Sequence, residues 1–231
     1  MNPNAPSCRL SIVIPTLNEA GSVVRLLDDL AALRGAGHQL ILVDGGSDDD
    51  TLSLAMGRVD QCLIGPAGRA RQQNFGAAQA DADILWFVHA DSRVDPGAAQ
   101  AIIGAIAGGA LWGRFDVRLS GRRWQLRIVE SLMNLRSRLT GIATGDQGIF
   151  VRRELFEQIG GFTDQPLMED IDLSRRLRRQ GRPCCLRRPR IQTSSRRWER
   201  NGIARTIWLM WRLRLAYALG TPAEQLARLY H

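Results

Sequence analysis

Lysine is absent from the chain, so all 31 of its basic residues are arginines. Compositional bias of the coding genome accounts for that total, and the placement of the arginines says more than their number. Cysteine is scarce. Cys8, Cys62, Cys184 and Cys185 have no metal-ligand spacing, which excludes the common zinc modules. Adjacent Cys184 and Cys185 read as part of a buried strand rather than a bridge, and the expected setting is reduced and cytoplasmic. No apolar run reaches ~18 residues, so no membrane span is expected. The N-terminal stretch lacks a basic region, and the apolar run Leu10–Ile14 is too short for a signal peptide. Aromatics are few and are not interleaved with the basic residues in a recognisable nucleic-acid fold, so no nucleic-acid partner is expected.

What is present is an ordinary globular composition. The 231 residues are 45% hydrophobic and 23% charged, enough for one domain over 1–231 with a real core. Charge divides that chain unevenly. Residues 1–116 carry 8 arginines against 13 acids, a net of −5. Residues 117–231 carry 23 arginines against 10 acids, a net of +13. A basic second half suits polyanions: diphosphates, anionic lipid headgroups or nucleic acid.

Leu10–Ile14, ended by Pro15, predicts a buried parallel strand. Asn18 can cap the next helix, where Val23, Leu26, Leu27, Leu30 and Leu33 fall at helical spacing before Gly35 and Gly37. Gln39–Val43 predicts a strand, followed by a helix from about Thr51 and a short strand at Cys62–Ile64. Arg69–Ala80 reads as helix, Ile84–Val88 as strand, and Pro96 opens a helix to about Ile106. This alternation predicts an α/β fold with a mostly parallel sheet. The pattern then changes. Leu111–Leu119 alternates with period two, predicting a half-buried strand of mixed or antiparallel pairing. Arg122–Leu139 is expected as helix, Gly148–Arg152 as strand, and Glu169–Gln180 as a helix stopped by Gly181 and Pro183. Ile203–Leu219 reads as an apolar, arginine-studded helix. Its Ile207–Trp211 stretch, flanked by Arg205, Arg212 and Arg214, suits either an interfacial membrane helix or a core-packing helix with snorkelling arginines, and the core reading is preferred.

The informative feature is where the carboxylates fall. The strand ending at Val43 runs into Asp44-Gly45-Gly46-Ser47-Asp48-Asp49. The strand ending at Val88 runs into His89-Ala90-Asp91, and Met168-Glu169-Asp170 opens an arginine-rich helix. Ligands of open α/β sheets bind beyond the carboxyl ends of the strands. Carboxylates there can hold a nucleotide's sugar, a hard cation and an acceptor proton. Each motif has a plainer reading: a turn-forming Asp44, Asp48 and Asp49 favouring a helix dipole, or helix-start acids beneath Arg175 and Arg176.

In order, Ile12-Val13-Ile14-Pro15-Thr16-Leu17-Asn18-Glu19, Val43–Asp49, His89–Asp91 and Met168–Asp170 resemble glycosyltransferase family 2 over roughly residues 9–190. The resemblance implies the GT-A fold, a nucleotide-diphosphate-sugar donor, a divalent cation (Mn²⁺ or Mg²⁺) and inversion at the anomeric carbon. On it, residues of about 9–116 form the donor half and about 117–231 the acceptor half. It implies that Pro15, Asn18 and Glu19 form a nucleotide-contacting loop and that Asp44 binds the nucleoside. Asp91 takes the last position of the family's Asp-x-Asp and implies a metal ligand. His89 departs from that pattern; it either contacts ribose or diphosphate or is structural. Asp170 matches the general base, and Glu169 orients acceptor or base. Arg69, in Gly68–Asn74, suits phosphate oxygens or a solvated helix face. Asp146 and Gln147, in Thr144–Gly148, are placed on the acceptor wall. These two segments and Arg196-Arg197-Trp198-Glu199 look like a stand-alone subgroup labelled arsenosugar-biosynthesis or radical-SAM-associated transferases.

Two other functions compete with an inverting transferase acting on an unidentified acceptor hydroxyl. One is a nucleotidyltransferase on a similar sheet, which would release pyrophosphate; no glycine- and arginine-rich signature loop near the N-terminus supports it. The other is a non-catalytic basic module on membrane or nucleic acid, which leaves the ordered acidic motifs unexplained. Peripheral contact with an anionic membrane is compatible with the transferase.

Overall fold

A computed structural model describes residues 9–230; Cys8, the leader expectation and His231 lie outside them. Among the described residues one sheet contains β1 (Leu10–Thr16), β2 (Gln39–Asp44), β3 (Gln61–Ile64), β4 (Ile84–Phe87), β5 (Trp112–Leu119), β6 (Phe150–Arg152) and β7 (Cys184–Thr193). Their order is β3-β2-β1-β4-β6-β5-β7. β1 to β4 are parallel, β6 runs antiparallel to β4 and β5, and β7 is parallel to β5. The connecting helices are α1 (Ala20–Gly35), α2 (Thr51–Ala55), α3 (Arg69–Ala77), α4 (Ala98–Ala107), α5 (Trp124–Thr140), α6 (Arg153–Gln158) and α7 (Glu169–Gln180). α8 (Arg196–Asn201), α9 (Ile203–Ala218) and α10 (Ala223–Tyr230) follow β7.

The unbroken apolar runs of β1, β2 and β4 follow from burial on both faces. Leu10, Ile12 and Ile14 share a cluster with Leu26 and Leu30 of α1 and Ile102 of α4. Val13, Ile41 and Val43, of opposite parity, pack with Ala70 of α3, Phe156 of α6 and Leu173 of α7. Gly76 lets α3 come this close, since a Cβ there would lie 2.6 Å from Val13 Cγ1. The chain goes β1, β2, β3 in one direction and returns to place β4 on the far side of β1. That reversal makes the carboxyl ends of β1 and β4 the switch point of the sheet, where the usual ligand crevice of such sheets lies.

Four expectations need correction. β5 is not half-buried: every residue but Arg118 is buried. α5 covers its polar side, where buried Arg114 pairs with Asp116, and Asp116 also meets Arg138 at 3.5 Å. The ladder with β7 slips between Phe115 and Val117, and Asn134 bonds both the N–H and C=O of Val117. Asn18 does not cap α1; Glu19 occupies that position, and its side chain accepts from Ser22 Oγ rather than from a backbone N–H of the first turn. Cys184 and Cys185 are half-buried, because β7 is an edge strand. Finally, α9 packs through one face only. Leu213 is wholly buried in a cluster with Leu167, Met168, Ile171 and Leu226, while Trp208 and Trp211 are 62% and 72% exposed.

Candidate active site

The first part of the crevice is a pair of loops laced together by side chains. The β1–β2 register sets Thr16 beside Asp44. Asp44 is wholly buried, and its carboxylate accepts from Gly46 N (2.9 Å), Ser47 N (2.7 Å), Ser47 Oγ (2.5 Å) and Thr16 Oγ1 (3.1 Å). Asn18 adopts φ 54, and its N–H donates to Ser47 Oγ while its Oδ1 accepts from Asp48 N. Asp49 accepts from Ala20 N and Thr51 N, so it ties the two loops together and sits ahead of α2. Glu19 N–H donates to Thr51 Oγ1, and Arg196 reaches the Glu19 carboxylate at 3.7 Å. Beneath them, Gln72 Nε2 donates to Thr16 O and Val43 O, fixing α3 to both strand ends. A left-handed non-glycine such as Asn18 persists only where its surroundings hold it, as these bonds do.

The second part joins segments distant in sequence. Asp170 Oδ2 accepts from Gly145 N at 2.8 Å and Oδ1 from Ile171 N at 2.7 Å. Burial raises its pKa above the usual carboxylate range, against the pull of Arg69 and Arg136. Glu169 is buried and meets Arg69 Nη1 at 3.3 Å; burial, then the Asp170 charge, raises its pKa. Burial likewise raises Asp146, with further upward pushes from Asp170 and Asp91. The reading of Glu169 and Asp170 as helix acids beneath Arg175 and Arg176 fails, because Arg176 pairs with Asp172 and Arg175 stacks on Tyr217. Met168, which precedes α7, is the other left-handed non-glycine among the described residues.

His89 lies between the two parts. Its Nε2 is sealed from solvent without a partner, and burial, then Arg69, lowers its pKa to about 3. The ring is therefore neutral at physiological pH and offers a hydrogen bond, not a charge. Gly145 packs against it: a Cβ there would lie 2.6 Å from His89 Nε2. Gly145→Ala should therefore displace His89 and the backbone N–H that Asp170 uses. Turnover is expected to fall by about 10-fold or more, in line with the cost of a misplaced catalytic group. Unchanged kinetics would show that this contact is idle.

Among the described residues, no group of three or more His, Cys, Asp or Glu side chains could hold a metal ion. A closed protein cage is therefore not what the residues fit. They do fit a hard cation held by one carboxylate, with its other oxygens from diphosphate and water. Asp91 is half-buried just beyond β4, and its charge reaches half-buried Asp146, whose sealed Oδ1 has no partner.

Sequence reasoning missed Arg136, on α5. Burial lowers its pKa, the carboxylates of Asp146 and Asp170 oppose that, and its Nε and Nη2 are buried without partners. An arginine beside the buried face of an otherwise amphipathic helix was the available signal. Arg71, by contrast, does not face the crevice cluster; it pairs with Asp164.

Residues 11–160 match the family model for glycosyl transferase family 2. The chain belongs to glycosyl transferase family 2. A PGL/p-HBAD biosynthesis glycosyltransferase of Mycobacterium bovis is 30% identical over 164 residues, covering 66% of this chain and 62% of the relative. The chain thus spans about 62% of the length of such curated relatives. Among solved structures, S. aureus TarS 1–349 in complex with UDP-GlcNAc has a TM-score of 0.67 at 17% identity, covering 80% of this chain and 58% of that one. The mannosyltransferase PcManGT from Pyrobaculum calidifontis, in complex with GDP-Man and Mn²⁺, has a TM-score of 0.60 at 20% identity, covering 90% and 61%. These likenesses establish the family 2 fold as GT-A type.

Proposed function

We propose that this family 2 chain is an inverting glycosyltransferase, moving a sugar from a nucleotide-diphosphate sugar to an acceptor hydroxyl. The observation that carries this is Asp170: a half-buried carboxylate fixed by two backbone N–H groups beside Arg69 and Arg136. Inversion needs one carboxylate to take the acceptor proton as the hydroxyl attacks opposite the leaving group. Burial makes Asp170 the stronger base, while Arg69 and Arg136 favour its ionised form. Glu169, held by Arg69, sets the position of its neighbour. Arg69 is half-exposed at the start of α3, where it can also meet donor phosphate oxygens. Pro15, Asn18 and Glu19 form the nucleotide-side loop, and His89 adds a neutral hydrogen bond to ribose or diphosphate. Asp146 and Gln147 form the acceptor wall. Asp91 would hold Mn²⁺ or Mg²⁺, which when bound would supply Lewis-acid stabilisation of the departing diphosphate. Free Cys62, Cys184 and Cys185 accord with a reduced, cytoplasmic setting.

Asp44 supports the nucleoside in this reading. Its oxygens are occupied by its own loop, so direct contact with a base or ribose requires Ser47 Oγ to give way. Asp44→Ala should weaken binding of donor and free nucleoside diphosphate alike by about 1–3 kcal/mol. Calorimetry giving equal affinities for variant and parent would refute that role.

The reading as a whole is tested by a donor panel. Calorimetry of uridine and guanosine diphosphate sugars with Mn²⁺ should find at least one tight ligand whose affinity falls when Mn²⁺ is chelated. Binding of none would contradict it.

A further inference from the structure

Two helices leave long apolar stripes in solvent. On α5, Trp124, Ile128, Leu132, Leu135 and Leu139 recur at spacings of four and three and are 48% to 74% exposed. On α9, Trp208, Trp211, Leu215 and Leu219, the last just beyond its end, follow the same rule at 62% to 79% exposed. The helices are joined, because Leu126, Val129 and Met133 of α5 pack with Ile203 and Ile207 of α9. Scattered exposed leucines need no explanation, but two adjoining stripes with three tryptophans do.

Charge narrows the occupant. α9 contains no acidic residue, and the one acid of α5, Glu130, is buried. Arg205 and Arg212 are exposed along α9, with Arg212 stacked over Trp208 at 5.3 Å. Arg122 and Arg123 are exposed before α5. Where the α5 stripe ends, a cleft of about 380 Å³ is lined by Arg138, Leu139, Arg178 and Arg182. Two copies meeting on this face would bring like charges together. A sheet of phosphates over hydrocarbon offers both complements, and tryptophan favours that boundary. Among the described residues no helix is long and apolar enough to cross a membrane, so contact would be with the surface.

We propose that the α5–α9 face seats the protein on an anionic lipid bilayer, with Trp124, Trp208 and Trp211 at the headgroup–acyl boundary and the Arg138–Arg182 cleft on lipid phosphate. The test needs no sugar donor, so its outcome is independent of the transferase reading. The full chain is floated with phosphatidylcholine vesicles, or with vesicles containing phosphatidylglycerol in equal part. Binding is expected only to the anionic vesicles, with a blue shift of tryptophan emission and release by salt. Trp208→Ser with Trp211→Ser should weaken it about 10-fold or more, from the apolar area lost. Arg182→Gln should weaken it about fivefold. Leu132→Ser with Leu135→Ser provides a second apolar test on an exposed face, with circular dichroism confirming the fold. Failure to float, equal binding by parent and variants, or dimerisation that the same variants abolish would overturn the proposal.

Discussion

Asp170→Asn should lower kcat by about 10²–10⁴, the usual worth of a general base. Donor affinity should be nearly unchanged, because the base acts on the acceptor. Asn is nearly isosteric and can still accept from Gly145 N, so the fold should survive. The parent should also show an acid limb in kcat. A base works only when ionised, and burial raises the Asp170 pKa, so activity should fall with decreasing pH above the range of a free aspartate, ~3.9. Arg69 lowers that pKa, so Arg69→Gln should move the limb to higher pH. Glu169→Gln should be milder. Near-normal turnover by Asp170→Asn with a dead Glu169→Gln would exchange the two roles.

The second large effect is expected at Asp91. Asp91→Asn should abolish turnover together with the Mn²⁺-dependent part of nucleoside diphosphate binding, while leaving the fold intact. Calorimetry of nucleoside diphosphate with and without Mn²⁺ separates this from a general loss of affinity. Undiminished Mn²⁺-dependent binding by the variant would remove Asp91 from the metal role.

The parallel half of the fold was legible because its strands are short, wholly apolar and punctuated by Pro15, Gly35 and Gly37. The edges were not. Period two in Leu111–Leu119 is the signature of a half-buried strand, and it misled because Arg114 and Asp116 satisfy each other beneath α5. The apolar content of α9 resembled a core helix, since composition alone does not say whether a neighbour is there to cover it. At the candidate site, the motifs named Asp44, Asp91 and Asp170 from their places after strands and before a helix. What they could not convey was local bonding: Asp44 committed to its own loop, Asn18 joined to Asp48 rather than capping α1, and Gly145 against His89. The last two depend on contacts between residues tens of positions apart, which no local pattern encodes, whereas the bonds of Asp44 to Gly46 and Ser47 form a local turn.

In an inverting transferase the bond broken lies between sugar and diphosphate. The most direct measurement is product identity after incubation with Mn²⁺, the donor found by the panel and a candidate acceptor alcohol. The expected products are a nucleoside diphosphate and a glycoside of inverted anomeric configuration, resolved by chromatography and proton NMR. Release of pyrophosphate, or a product retaining the donor's configuration, would contradict it.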